Sequence, residues 1–207
     1  MTPLIGRLHL ITDARPGCDP VRVVRAALDA AGPLVVQVRV EDAVCDRDAY
    51  HLAAQIAELC RGYGATCLVN DRLDIALAVG ADGGHVGAED LPVAAARRVL
   101  GPDRVLGATA RDPVTARRAV KQGANYLGVG PAYPTGTKAG LPAPIGVAGI
   151  VAVARAVPVP VIAIGGVTAE RVLELVRAGA YGVAVVGAVC AAPDPGAAAL
   201  GLLARLP

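Results

Sequence analysis

Short runs of apolar, β-branched residues alternate along the chain with longer segments whose apolar residues recur at helical spacing. Each short run is nearly continuous in its hydrophobicity, which is typical of a parallel strand buried on both faces. The pattern predicts eight strands, at residues 8–12, 34–40, 65–70, 83–87, 104–109, 126–130, 160–166 and 182–189.

Helices are predicted between the strands, for example over 47–63, 112–122 and 168–178. Eight strand–helix units favour an α/β protein built as a TIM (β/α)8 barrel, with its active site at the carboxyl ends of the strands. An open doubly wound sheet has the same alternation, but no glycine-rich dinucleotide turn follows the first strand. Because the connections are short, we expect residues 1–207 to form a single barrel domain.

The composition of the chain narrows the classes of protein to which it can belong. The 207 residues are 54% hydrophobic and 18% charged, which is typical of a globular protein. A net charge of +2 and 2% aromatic residues argue against a nucleic-acid partner. There is no signal-peptide pattern and no apolar run of membrane-spanning length, and the five cysteines form no metal-ligand spacing. We expect a reduced, cytoplasmic protein without a membrane partner; a homo-oligomer stays open.

Two aspartates follow neighbouring predicted strands. Asp71 ends the third strand, and Asp90 lies in the loop after the fourth. Adjacent barrel strands can bring both carboxylates to one mouth, where they would suit Mg²⁺ completed by water and substrate phosphate oxygens. The alternative is that each aspartate caps the helix that follows it.

Further strand ends carry groups that suit a phosphorylated ligand. The loop at 135–138 offers two hydroxyls, a glycine and a lysine, and Gly166 and Gly187 expose backbone N–H groups or merely permit tight turns. Gln37 and Arg39 alternate along the second strand, so both should face the barrel mouth. Asn70 contacts a ligand or closes a turn, and His85 is interpreted as a structural histidine rather than a base.

Several segments together resemble the thiamin phosphate synthase family: "LHLITD", "VVQVR", "LVNDRLDIALAVGADGGHVGAEDLP", "GPAYPTGTK", "PVIAIGGV" and "GVAVVGAV". The resemblance implies a Mg²⁺-dependent transferase that works on phosphorylated pyrimidine and thiazole substrates. Hydroxymethylpyrimidine diphosphate loses pyrophosphate, and the nitrogen of a thiazole phosphate attacks the exposed methylene carbon. The products are thiamin phosphate and pyrophosphate.

The resemblance also implies roles for individual residues. Asp71 and Asp90 would hold Mg²⁺, and Arg39, Thr109 and Lys138 would be catalytic. The pyrimidine diphosphate would be contacted by Gln37, Arg39, Asn70, Thr109 and Lys138. The thiazole-phosphate end would be lined by Thr135, Gly136, Thr137, Gly166, Val186 and Gly187.

Three positions depart from the family pattern. Glu41 occupies the substrate-binding position of a usual lysine, and losing a hydrogen bond to a charged group costs roughly 1.5–3 kcal/mol. Arg111 replaces a usual histidine and is a candidate for the missing cation, and Ala88 replaces a common glutamine. Thr109 keeps the hydroxyl of the usual serine. Two alternatives therefore stay open: an isomerase like the related thiazole tautomerase, and a non-catalytic phosphate-ligand binder.

Overall fold

Eight parallel strands close into a barrel in which each strand pairs with the next and the last pairs with the first. The computed structural model describes residues 5–15, 17–40, 43–136 and 140–207. The predicted TIM barrel is confirmed, and the open doubly wound alternative is wrong because the sheet closes. The strands are β1 (Leu8–Ile11), β2 (Val35–Val38), β3 (Thr66–Asn70), β4 (Gly83–Val86), β5 (Val105–Ala110), β6 (Tyr126–Val129), β7 (Val161–Ile164) and β8 (Gly182–Val185).

Helices connect the strands and cover the outside of the barrel. Asp112 begins one of them as the sequence predicts, because its carboxylate accepts hydrogen bonds from the backbone N–H groups of Val114 and Thr115 at 2.8 and 3.0 Å. The helices are α1 (Pro20–Ala31), α2 (Asp46–Tyr63), α3 (Leu73–Ala78), α4 (Val93–Leu100), α5 (Pro113–Lys121), α6 (Gly146–Ala154), α7 (Ala169–Arg177), α8 (Gly187–Cys190) and α9 (Pro195–Leu203).

The two faces of each strand pack into different layers, which explains why the apolar runs are continuous. One set of side chains fills the barrel interior, among them Val35, Leu68 and Tyr126. The residues between them, such as Val36 and Val69, pack outward against the helices. Both faces are therefore buried, and every strand position favours an apolar residue.

Glycines allow close backbone approach at two seams of the barrel. A Cβ on Gly83 of β4 would lie 1.8 Å from the carbonyl oxygen of Val105 on β5. A Cβ on Gly182 of β8 would lie 2.1 Å from the carbonyl oxygen of Arg7, next to β1. No side chain fits at either distance, so glycine is required for the strands to close.

The carboxyl ends of the last two strands lie earlier than predicted. The runs at 160–166 and 182–189 end as strands at Ile164 and Val185. The second run continues into the short helix α8, because hydrophobicity alone does not separate a buried strand from a buried helix. Each run therefore combines a strand with part of the loop or helix at the barrel mouth.

Candidate active site

The described members of the predicted site lie at or just beyond the carboxyl ends of the strands, at one mouth of the barrel. Glu41, Thr137 and Lys138 lie outside the described residues. The remaining positions come from seven of the eight strands or the loops after them. They are Gln37, Arg39, Asn70, Asp71, Asp90, Thr109, Thr135, Gly136, Gly166, Val186 and Gly187.

Asp71 lies directly after β3 in a left-handed backbone conformation, with φ = 61°. Among the described residues it is the only non-glycine residue with positive φ, a region that aspartate and asparagine tolerate best. Its N–H donates to the carbonyl of His85 on β4 at 2.8 Å. Helix α3 begins at Leu73 with Arg72 as its N-cap, so the capping interpretation of Asp71 is wrong. Unusual backbone conformations of this kind concentrate at functional sites.

Asp90 folds back onto the end of β4. Its Oδ2 accepts a hydrogen bond from the N–H of Gly87 at 2.6 Å, and a Cβ on Gly87 would lie only 2.8 Å from that oxygen. Helix α4 begins at Val93 with Pro92 as its N-cap, so Asp90 does not cap it either. Asp71 and Asp90 are thus both held against the end of β4.

This donor set suits Mg²⁺. Among the described residues, no group of three or more His, Cys, Asp or Glu side chains is arranged to hold a metal ion. Mg²⁺ does not need such a cage, because one or two carboxylates with water and substrate phosphates complete its octahedron. Two aspartates that contact the end of β4 are therefore compatible in chemistry with a magnesium ion that is bound together with a phosphorylated substrate.

Gln37 and Arg39 extend β2 toward the mouth. The Gln37 side chain is buried at 5% exposure, yet it makes no hydrogen bond to any residue in the described part of the chain. No buried side-chain nitrogen or oxygen in the described part of the chain lacks a partner, so the Gln37 amide atoms reach the open mouth, where a ligand can contact them. Arg39 is held through its backbone, whose N–H donates to the Thr12 hydroxyl at 2.8 Å while its carbonyl accepts from that hydroxyl at 3.0 Å.

A second cationic side chain, Arg15, lies nearby and is paired with a carboxylate. Arg15 donates two hydrogen bonds to the buried carboxylate of Asp13, at 2.8 and 2.6 Å. These bonds hold the pKa of Asp13 below its ordinary value, and the charge of Arg39 lowers it further. The opposite charges of Arg15 and Asp13 therefore offset each other beside Arg39.

His85 connects the barrel interior to Thr109. Its Nδ1 lies 3.0 Å from the hydroxyl of Tyr126, and its Nε2 lies 2.9 Å from the hydroxyl of Thr109. Burial lowers the pKa of His85 to about 4, although the charge of Asp90 opposes this shift. The ring is neutral at pH 7 and bonded at both nitrogens, which agrees with a structural histidine rather than a base.

The β6–α6 loop packs on the loop after β7. The Tyr133 hydroxyl donates to Glu174 at 2.6 Å, and the guanidinium of Arg171 lies 4.2 Å from the Tyr133 ring centroid. Arg171 also donates to the carbonyl of Gly166, whose φ is 63°. A Cβ on Gly166 would lie 2.6 Å from the carbonyl oxygen of Pro134, so glycine is required where the two loops meet.

Arg111 braces the same β6–α6 loop. Its guanidinium donates to the carbonyl of Gly130 at 3.3 Å and to the carbonyl of Ala143 at 2.5 Å. These two residues flank the segment that contains Thr135 and Gly136. Arg111 therefore fastens the two ends of the loop, and its role as the missing cation stays a prediction.

Comparison with known proteins shows the family to which the chain belongs. A family model described as "Thiamine monophosphate synthase" matches residues 8–189. The chain belongs to the thiamine monophosphate synthase family. It is 67% identical over 192 residues to a thiamine-phosphate synthase of Salinispora arenicola, with 92% of each chain covered. It is 64% identical to the Salinispora tropica protein of the same name, with 98% of each covered.

A solved structure of the thiamine monophosphate synthase family has the same fold. The thiamine phosphate pyrophosphorylase from Pyrococcus furiosus superposes with a TM-score of 0.87 at 35% identity, covering 96% of this chain and 94% of the other. The family resemblance predicted from the sequence motifs is confirmed. Within the residues that the structure describes, no helix is both long and apolar enough to cross a membrane.

The sequence pattern did not indicate four residues that shape this site. Tyr126 looks like an ordinary core residue of β6, because an apolar run does not indicate which hydroxyl faces a histidine. Gly87, Gly107 and Gly128 make room for the Asp90 carboxylate and the His85 ring. Glycine inside a strand run is the one available signal, since it often marks close approach of another group.

The buried histidines of this synthase-family chain predict acid sensitivity. Burial lowers the pKa of His9 from 6.5 to about 3 and that of His85 from 6.5 to about 4. Below pH 6.5 the unfolded chain takes up protons that the folded chain does not, so stability falls with pH. We expect the free energy of unfolding to drop by about 2.5 kcal/mol between pH 7 and 5.5, measured by urea denaturation. Exposed His51→Gln is the matched control and should leave this loss intact; constant stability would contradict the prediction.

Proposed function

We propose that this barrel catalyses the condensation of hydroxymethylpyrimidine diphosphate with thiazole phosphate to give thiamin phosphate and pyrophosphate. The observation that carries the proposal is the pair Asp71 and Asp90, both fastened to the end of β4 in a member of the thiamine monophosphate synthase family. A barrel that only isomerised or bound a thiazole phosphate would have no need of two carboxylates for a diphosphate-bound metal. The high identity to relatives named thiamine-phosphate synthase supports the same conclusion.

Asp71 and Asp90 would hold Mg²⁺ through their carboxylate oxygens, with the diphosphate completing the coordination. When bound, the ion would neutralise the negative charge that grows on the departing pyrophosphate. The hydrogen bond from Gly87 holds the Asp90 carboxylate, and the Asp71 backbone is fixed by its left-handed conformation and its N–H bond to the carbonyl of His85 before substrate arrives. Such preorganisation lowers the reorganisation cost of the reaction.

The pyrimidine diphosphate would lie across β2, β3 and β5. In the reaction, the bond between the methylene carbon and the diphosphate oxygen breaks, and its electron pair leaves with pyrophosphate. Gln37 and Asn70 would bind the polar edge of the pyrimidine, and Arg39 with Lys138 would pair with the diphosphate. Thr109 would contribute a hydroxyl from the end of β5. None of these side chains needs to act as a strong base.

The thiazole phosphate would bind on the opposite side of the mouth. Its phosphate would meet the hydroxyls and N–H groups of the β6–α6 loop and of the turns after β7 and β8. The thiazole nitrogen then forms the new bond to the methylene carbon. The residues that would line this end are Thr135, Gly136, Thr137, Gly166, Val186 and Gly187.

The neutral interior suits a cationic pyrimidine. His85 and His9 have lowered pKa values of about 4 and 3 and carry no charge at pH 7. They add no electrostatic repulsion as positive charge develops on the methylene carbon. The protein thus contributes binding, orientation and electrostatic stabilisation rather than proton transfer. We place this activity in the cytoplasm, where all five cysteines would stay free thiols, as they are in the structure.

The test is pyrophosphate release from the purified protein in an omission series. We expect release only when Mg²⁺, the pyrimidine diphosphate and the thiazole phosphate are all present, with EDTA stopping it and one thiamin phosphate formed per pyrophosphate. Conversion of a thiazole phosphate alone would instead indicate an isomerase. Tight binding of both substrates without pyrophosphate release would indicate a non-catalytic binder and would sink the proposal.

A further inference from the structure

Three side chains form a hydrogen-bonded chain from the barrel interior to the mouth. Tyr126 on β6 is 2% exposed, and its hydroxyl lies 3.0 Å from Nδ1 of His85 on β4. Nε2 of the same ring lies 2.9 Å from the hydroxyl of Thr109, which is half-buried near the end of β5. The direction in which each proton is donated determines what Thr109 offers to a substrate.

The buried phenol fixes that direction. A buried O–H without an acceptor is costly, and within the described residues the one hydrogen-bond partner of the Tyr126 hydroxyl is Nδ1 of His85. Tyr126 therefore donates to Nδ1, which then carries no proton. The imidazole proton lies on Nε2, and Nε2 donates to Thr109 Oγ1.

Two glycines make room for the ring in its observed orientation. A Cβ on Gly107 would lie 2.4 Å from His85 Nδ1 and 2.2 Å from Cζ of Tyr126. A Cβ on Gly128 would lie 3.0 Å from His85 Cε1. The imidazole fills a slot between β5 and β6 that exists only because both positions lack a side chain. Its two nitrogens are held toward Tyr126 and Thr109.

We infer that His85 is a positioning residue which, directed by Tyr126, makes the Thr109 hydroxyl a hydrogen-bond donor into the barrel mouth. The Thr109 oxygen accepts from His85, and its own hydrogen has no acceptor among the described residues. That hydrogen is available to an acceptor atom of the pyrimidine diphosphate, so the inference rests on the proposed function. With the opposite tautomer, Thr109 would donate inward and present only lone pairs to the substrate.

The tautomer can be read directly by long-range proton–nitrogen NMR of histidine side chains in the unliganded protein. The chain contains three histidines, so His9→Gln and His51→Gln identify the His85 signals. We expect Nε2 of His85 to carry the proton and Nδ1 to carry none. A proton on Nδ1, or on both nitrogens at neutral pH, would overturn the inference.

Removing the Tyr126 hydroxyl tests whether the tautomer of His85 affects turnover. Tyr126→Phe keeps the ring but removes the group that sets the tautomer, so we expect a mixed tautomer signal and a turnover number lower by roughly tenfold. The KM for thiazole phosphate should stay unchanged. Thr109→Val should lose about as much, and Thr109→Ser should recover most of that loss. If Tyr126→Phe changed neither tautomer nor turnover, His85 would be a structural residue only.

The exposed His51→Gln variant is the matched control and should keep both the His85 signal and the turnover of the unmodified chain. Failure of the proposed function would be recognised separately, as absence of pyrophosphate release from the unmodified protein. Even then, the tautomer of His85 in the unliganded protein would show in which direction the hydrogen bonds from Tyr126 to Thr109 run. Thermal melting of each variant separates loss of turnover from loss of fold.

Discussion

Asp71→Asn should lower the turnover number for pyrophosphate release by about a hundredfold to a thousandfold, measured at saturating substrates and Mg²⁺. The substitution removes one of the two carboxylates proposed to hold the metal against the diphosphate. Asparagine keeps the shape of the side chain and tolerates the left-handed backbone at this position, where φ is 61°. We therefore expect the melting temperature to change little while the Mg²⁺ concentration needed for half-maximal activity rises.

Asp74→Asn is the matched control for Asp71→Asn. Asp74 lies three residues further on, is 65% exposed and pairs with Arg72 at 2.7 Å. Exposed pairs of this kind contribute about 1 kcal/mol or less, so the variant should keep near-normal turnover. If Asp71→Asn stayed within tenfold of the unmodified protein, Asp71 would not be a metal ligand and the proposed site would be wrong.

Gly83→Ala should prevent the barrel from folding, or destabilise it by more than about 4 kcal/mol. The new Cβ would lie 1.8 Å from the carbonyl oxygen of Val105 and 2.6 Å from its carbonyl carbon. Both atoms belong to the backbone of β5, so the clash cannot be relieved by turning a side chain. β4 and β5 would have to separate at the register pair that joins Gly83 to Val105. Urea denaturation followed by circular dichroism measures the loss.

Gly201→Ala provides the opposite control. Gly201 lies in α9, and a Cβ there meets nothing within 4 Å. Alanine is a better helix former than glycine, so this change should stabilise the protein by up to about 1 kcal/mol. A Gly83→Ala protein as stable as the unmodified chain would contradict the close approach of β4 and β5.

The fold could be predicted largely from the apolar runs. All eight runs contain a strand, because burial on both faces leaves little room for polar residues within a barrel strand. Closure of the sheet does not follow from the apolar runs alone, since the same alternation also suits an open sheet. The decisive contacts are close backbone approaches such as Gly83 against Val105, and glycine in a sequence does not reveal which strand lies beside it.

The candidate site could be predicted where chemistry follows a strand end. Neighbouring parallel strands end at one edge, which is why the sequence points to Asp71 and Asp90 together; both contact the end of β4, and their role as metal ligands stays a prediction. Tyr126 and the slot for His85 were missed because they depend on register between β4, β5 and β6. The orientation of Arg111 could not be predicted either, because it depends on the carbonyls of Gly130 and Ala143, which no local sequence motif indicates.

The most direct test of the central claim is the position of a metal ion in a crystal of this protein grown with pyrophosphate and Mn²⁺, a stand-in for Mg²⁺ with the same preference for oxygen ligands. The anomalous signal of Mn²⁺ would locate the ion without reference to activity. We predict one ion within about 2.5 Å of carboxylate oxygens of both Asp71 and Asp90 and of a pyrophosphate oxygen. An ion and pyrophosphate bound away from both aspartates would contradict the account.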